Sequence, residues 1–355
     1  MDIEEKISLV KKQPIVEVVT DAELRSLFET NDHPKHYIGF EISGKVHLGS
    51  GLLVALLLKD FMKAGIKPTV FLADYHAWIN GKLGGDLEKI QRTAKGYFKS
   101  AFVSLGLEEG KVDYVLASEL YDKDYWKEVL RISKDTTMQR MLRCTTIMGR
   151  SQKDAMDCAS VLYPAMQAAD VFALEVDIAH AGIDQKKVHM LAREVAERHE
   201  RKKPVAIHHR LLMGLFGPQK MGGIDEDASA DAAISSKMSK SKPDSCIFVH
   251  DSEEEISRKL KNTYCPEKTA ENNPVLEMCE CFILRDAGSK LKVERPQKYG
   301  GDVEFAGFPE LKEAYVAGKL HPTDLKIATA SALSEILAPS RKYFESRREL
   351  LSQPG

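Results

Sequence analysis

The sequence predicts an α/β protein, with a parallel-sheet domain over residues 1–250 and a mostly helical domain over residues 251–355. Three observations lead there. Short apolar runs bounded by glycine, proline or charge alternate with longer amphipathic stretches through the first two thirds of the chain. The stretches between the runs are long enough to carry right-handed helical crossovers between parallel strands. Beyond Asp251 the strand-like runs give way to helical patterning.

Taken in order, a helical N-terminal stretch precedes "HYIGFEISG" (residues 36–44), which reads as a strand ending in a glycine turn. "HLGSGLLVALLLKDFMKAG" (47–65) reads as a helix with a polar, glycine-rich first turn and a glycine stop. "KPTVFLAD" (67–74) and "DYVLAS" (113–118) are the next strands, separated by a helix around "LEKIQRTAKGYFKSAFVSLG". A helical region with scattered arginines fills residues 121–150. A helix at "ASVLYPAMQAADVFAL", a strand near "EVDIAHAG", a helix from "DQKKVHMLAREVAERH" and a strand at "KPVAIHH" follow. Ligands of such sheets bind at the carboxyl ends of the strands.

Bulk properties narrow the function classes. With 43% hydrophobic and 29% charged residues among 355, the chain has an ordinary globular composition. Its longest apolar run, "LLVALLL" (52–58), is far below the roughly 20 residues that span a bilayer. A charged N-terminus without an apolar signal region and six cysteines without a CxxC pair point to reduced thiols and a cytoplasmic location. Cys279 and Cys281 lack a second ligand pair, so no metal site is expected. Net charge is −2, and neither side of Asp251 is basic, so nucleic-acid contacts would come from local patches such as "ERHERKKP" or "RKYFESRR".

Two motifs carry chemistry. "HLGS" (47–50) follows a strand and opens a helix, where free backbone N–H groups favour phosphate; Gly49 allows close approach and His47 offers a donor. HxG alone is a common triplet. "KMSKS" (237–241) sets Lys237 and Lys240 on a polar loop (235–247), from which two ammonium groups could neutralise charge during displacement at phosphorus. KxxK alone often marks only a solvated turn. Both motifs in this order on an α/β layer are much more specific, and no Walker GxxxxGK[ST] competes. In "YPAMQAAD", Tyr163, Gln167 and Asp170 share one helix face among apolar neighbours, a polar wall that needs partners.

The chain resembles the tyrosyl-tRNA synthetases of archaeal and eukaryotic type. "HLGS" is similar to the HIGH element and "KMSKS" matches the second signature of class I aminoacyl-tRNA synthetases, which have a Rossmann-like catalytic domain. "YIGFEISGKVHLG", "LADYHAWING", "YPAMQAAD", "DQKKVHMLARE", "KYGGD" and "HPTDLK" are similar to that family's blocks, in order. The resemblance implies a two-step ligase for L-tyrosine, ATP and tRNA(Tyr), with Mg²⁺ accompanying ATP and a homodimer formed through residues 121–150. It implies that Tyr163, Gln167 and Gln185 hold the amino group of tyrosine, that Tyr37 and Asp170 read its phenol, and that Phe71 and His76 line the pocket. Gly39, His47, Gly49, Gly182, Asp184, Lys237, Met238, Ser239 and Lys240 would face ATP, with Asp184 on its ribose. Ala181 stands where the family often has a second glycine. Lys186 and Lys187 would meet the tRNA acceptor end, and Tyr299, His321 and Asp324 the anticodon. Alternatives are a tryptophanyl-tRNA synthetase of the same fold, which the polar Asp170–Tyr37 pair disfavours, and a catalytically silent RNA-binding relative, which the intact signatures disfavour.

Overall fold

The five strands anticipated from apolar runs are all present in the computed structural model, which describes residues 1–149 and 156–355. They are β2 (Lys35–Glu41), β3 (Lys67–Ala73), β4 (Asp113–Leu116), β5 (Ile178–Gly182) and β6 (Val205–His209), and all pair in parallel. A sixth, β1 (Ile15–Val19), pairs antiparallel with β6 and gives the order β1-β6-β5-β2-β3-β4. The N-terminal stretch is therefore not wholly helical. "IVEVV" is β-branched at four of its five positions and suits an edge strand, but it lies between the Ile3–Val10 and Asp21–Thr30 helices.

Strand alternation divides the interior into two faces. Ile38, Val70, Leu72 and Ile207 pack with Leu53, Leu57 and Phe61 of the Leu52–Lys63 helix. Tyr37, Phe71 and Ala179 point to the other face, against the Cys158–Ala173 and Lys186–Arg198 helices. Fully burying one such leucine or phenylalanine contributes roughly 1.5–3 kcal/mol. β3 and β4 lie to one side of β2, and β5 and β6 to the other. The sheet reverses its winding between β2 and β5, the place where open α/β sheets take ligands.

Residues 121–149 contain the Lys123–Lys134 and Met138–Cys144 helices; Arg150, at the end of the segment anticipated as an insertion, lies outside the described residues. Beyond Asp251 come the Glu253–Lys261, Phe308–Val316 and Pro322–Glu345 helices, with a short antiparallel pair, β7 (Leu291–Val293) and β8 (Val303–Phe305). Leu325, Leu333, Leu337 and Phe344 of the long helix join the same apolar cluster as Leu53 and Phe61. No helix of the described residues is long and apolar enough to cross a membrane.

Candidate active site

One cavity of about 730 Å³ opens at the carboxyl ends of β2 and β5. Tyr37, Gly39, His47, Gly49, Phe71, His76, Tyr163, Gln167, Asp170, Gly182, Asp184, Gln185, Lys237, Met238, Ser239 and Lys240 all line it. The residues anticipated for tyrosine and ATP, from both sides of the sheet reversal, thus converge on a single space.

Its inner wall is dry and heavily hydrogen-bonded. Asp170 is 1% exposed, and its Oδ1 accepts from the hydroxyls of Tyr121 at 2.8 Å and Tyr125 at 3.0 Å. The two phenol rings stack with centroids 3.7 Å apart. Among the described residues these are the hydroxyls that reach Asp170; that of Tyr37 does not, although its buried ring lies beside Phe71. Oδ2 faces His76 Nε2 at 3.7 Å, too far for a hydrogen bond. Burial pushes the Asp170 carboxyl up to about 8, while the two tyrosines pull against that rise. Burial also lowers His76 to about 3, so its ring is neutral. The sequence reading missed Tyr121 and Tyr125; the available signal was their i, i+4 spacing in "YDKDY".

Further along the wall, Tyr163 donates to Glu41 at 3.3 Å, and Glu41 also accepts from Asn80 at 2.6 Å and pairs with Lys82 at 3.3 Å. Gln167 donates to Gln185 at 3.3 Å, and Gln185 donates to the Ile147 carbonyl at 3.1 Å. Glu41 was not anticipated either; it stands at the end of β2, where an acid reads as a solvated strand end. On the opposite sheet face His180 bridges His36 at 3.1 Å and His209 at 2.9 Å, a buried structural chain whose last ring reaches the cavity.

The other half of the cavity is built around the two signatures. The helix begins at Leu52, so "HLGS" forms the turn before it. Its amides are not free. Those of Gly49 and Ser50 donate to His47 Nδ1 at 3.1 and 3.4 Å, and those of Leu48 and Gly51 donate to the carbonyls of Ile247 and His47. The ring folds back over the turn because residue 49 is glycine; a Cβ there would stand 3.2 Å from His47 Cε1. Burial, then Lys240 and Lys237, lower His47 to about 3. With Nδ1 accepting, the neutral ring carries its proton on Nε2.

"KMSKS" is only partly a loop. Ser235 and Ser236 close the Ala228–Ser236 helix, Lys237 bridges to Met213, and Met238 is 3% exposed in the apolar core. The one apolar side chain in a polar run pins the segment. Lys237 Nζ lies 2.7 Å from Asp184 Oδ2. Burial acts to raise the Asp184 carboxyl, but Lys237, His209 and Gln185 together outweigh it and hold the group below its ordinary value. Lys240 lies 5.6 Å from the centre of the Phe98 ring. Burial lowers its ammonium to about 8, with Glu41 acting against and Lys82 and Lys237 with that shift.

The anticipated RNA-contact residues lie outside this cavity. Lys186 pairs with Glu17, and Lys187 pairs with Asp225 at 2.7 Å. In the acidic stretch before Lys237, Asp231 accepts from the amides of Gly223, Ile224 and Asp225 and so shapes the turn that carries Asp225. Tyr299 is 61% exposed, and His321 caps the Pro322–Glu345 helix through Thr323 N–H, with Asp324 in its first turn.

The sequence model of class I tRNA synthetases (W and Y) matches residues 29–234 and 229–338. The chain belongs to this family. It is 50% identical to a tyrosine–tRNA ligase of Pyrococcus furiosus, over 99% of this chain and 97% of that one. It is 46% identical to the Sulfolobus acidocaldarius ligase over the same shares. A crystal structure of tyrosyl-tRNA synthetase from Pyrococcus horikoshii complexed with L-tyrosine superposes with a TM-score of 0.93 at 49% identity, covering 100% of this synthetase and 99% of that chain. A tryptophanyl-tRNA synthetase of Aeropyrum pernix, 20% identical with a TM-score of 0.69, shares the fold.

Proposed function

We propose that the chain is a tyrosine–tRNA ligase that activates L-tyrosine with ATP and passes it to the terminal ribose of tRNA(Tyr). The observation that carries this reading is the buried Asp170 in the cavity wall, whose Oδ1 is occupied by two phenols while Oδ2 stands beside His76 with no hydrogen bond among the described residues. Once ionised, a carboxyl in a dry wall with one oxygen left unpaired suits a ligand that donates a hydroxyl. Tyr37 would complete the phenol's surroundings, with Phe71 and His76 on the ring. Tyr163, Gln167 and Gln185 would receive the amino group.

The tyrosine carboxylate attacks the α-phosphorus, and pyrophosphate leaves. No protein nucleophile is needed, so catalysis is positioning and charge stabilisation. His47 donates from Nε2 to phosphate oxygens, and Lys240 supplies charge to the leaving pyrophosphate. Asp184 takes the ribose, which frees Lys237 to swing to the phosphates beside Met238 and Ser239. Gly39, Gly49 and Gly182 leave room for the nucleotide. Mg²⁺ would arrive on the phosphate oxygens, with no protein ligands assigned to it. In the second step the terminal ribose hydroxyl of the tRNA attacks the tyrosyl carbonyl, and AMP leaves.

Residues 1–250 would form the catalytic domain and 251–355 the anticodon reader, with Tyr299 stacking on a base and His321 and Asp324 at base edges. Lys186 and Lys187 would exchange their carboxylate partners for acceptor-end phosphates. Trp126, Leu130 and Met138, exposed at 39, 65 and 64%, favour a homodimer through residues 121–149. The protein would act in the cytoplasm. ATP–pyrophosphate exchange with each amino acid tests the reading: exchange with tyrosine and not tryptophan is expected, and exchange unresponsive to tyrosine would overturn it.

A further inference from the structure

One residue lining the cavity comes from far along the chain. Pro354 is buried there, just beyond the Arg348–Ser352 turn. Its neighbour Gln353 anchors it. The Gln353 carbonyl accepts from the Thr93 hydroxyl at 3.2 Å, and its side-chain Oε1 accepts from the Tyr97 amide at 2.9 Å. That amide belongs to a widened helical turn, Ala94–Phe98, between the Leu87–Thr93 and Lys99–Ser104 helices. Widened turns of this kind are rare and frequently occur at functional sites. Gly96 makes the seat: a Cβ there would fall 2.2 Å from Gln353 Oε1 and 2.8 Å from Nε2.

Two consecutive rings of this turn support the two signatures. The Tyr97 hydroxyl accepts from the amide of Val46 at 2.8 Å, directly before His47, and pairs with His250 Nε2 at 3.1 Å. The Phe98 ring lies 5.6 Å from the Lys240 ammonium. Tyr97 also packs on Phe344 of the Pro322–Glu345 helix, with centroids 5.7 Å apart. A single turn therefore holds the approach to His47 and the surroundings of Lys240, and it is secured from outside by Gln353.

We infer that Gln353 and Pro354 are positioning residues of the nucleotide half of the site, acting through the Ala94–Phe98 turn on His47 and Lys240. The inference rests on the ATP role proposed above. Tyrosine contacts lie on a different wall, so the two substrates should respond differently.

The test is tyrosine-dependent ATP–pyrophosphate exchange with the full chain and three variants: Gln353→Ala, Gly96→Ala and the double. The glycine variant leaves Gln353 intact and displaces only its amide, since residue 96 has helical backbone. Loss of one hydrogen bond predicts a rise of about fivefold in the KM for ATP in each single variant. The KM for tyrosine should stay within about twofold, and the double variant should be no worse than the poorer single, since both remove one contact. An unchanged ATP KM in both singles, equal rises for both substrates, or additive losses would overturn the inference. A wild-type chain without tyrosine-dependent exchange would instead overturn the functional reading.

Discussion

The two halves of the cavity are built differently. On the wall proposed for tyrosine, Asp170, His76 and Tyr163 are buried, neutralised or hydrogen-bonded before any ligand arrives. On the side proposed for the nucleotide, Lys237 is paired with Asp184, and its side chain is 35% exposed. A dry, fixed wall discriminates between similar side chains, because a ligand lacking the right donor leaves a buried acceptor unpaired. A polyphosphate needs less shape discrimination and more charge that can follow it as bonds break. Rigidity and displaceable charge are therefore segregated within one cavity.

Substitutions can break that contrast. The largest effect is expected for Lys240→Ala: exchange should fall about 10²–10³-fold through lost charge stabilisation, while equilibrium tyrosine binding stays within about twofold. Equal losses in both measurements would mean the halves are not separate. Next, Tyr121→Phe with Tyr125→Phe should lower kcat/KM for tyrosine by about 10–100-fold, for two hydrogen bonds to a buried carboxyl. Their loss removes the influence that pulls Asp170 down, so the pH at which kcat/KM for tyrosine rises should move upward.

A pH profile sharpens the other half. Lys240, lowered to about 8, is charged below that pH and loses its charge as pH rises through it. kcat/KM for ATP should therefore fall above about pH 8, and in Lys240→Arg that basic limb should disappear from the profile. The smallest effect is on stability. Asp184→Asn breaks the Lys237 pair, and because Lys237 is a third exposed the ligand-free protein should lose under about 1 kcal/mol, read as a small drop in Tm. The same variant should raise the KM for ATP, so a large Tm loss would point to a structural role for Asp184.

The parts of this site that could be read along the chain are those carried by one element each. His47 and Gly49 occupy one turn, Lys237 to Lys240 one segment, and Tyr163, Gln167 and Asp170 one helix face; in each case spacing alone places the side chains together. The five parallel strands were legible for the same reason, since buried strands are short apolar runs with clear stops. β1 was not: five residues between charged helices leave too little pattern, and its place on the β6 edge depends on a partner nearly two hundred positions away. Within "KMSKS" the expected free loop proved to be anchored by Met238, whose burial follows from what surrounds it.

The sequence by itself determined the chemistry on offer: a neutral donor near a helix start, two lysines on a polar segment, and a polar face on an apolar helix. Tertiary structure alone decided how those groups are occupied. It set Tyr121 and Tyr125 on one oxygen of Asp170, turned the "HLGS" amides toward His47, placed Lys237 on Asp184, and brought Gln353 and Pro354 to the turn beside Lys240. The physical reason is that a tyrosine, a glutamine or a free amide has the same local signature whether its partner is water or a carboxylate. Only the crossovers of the sheet and the packing on its two faces bring the partner within hydrogen-bond reach.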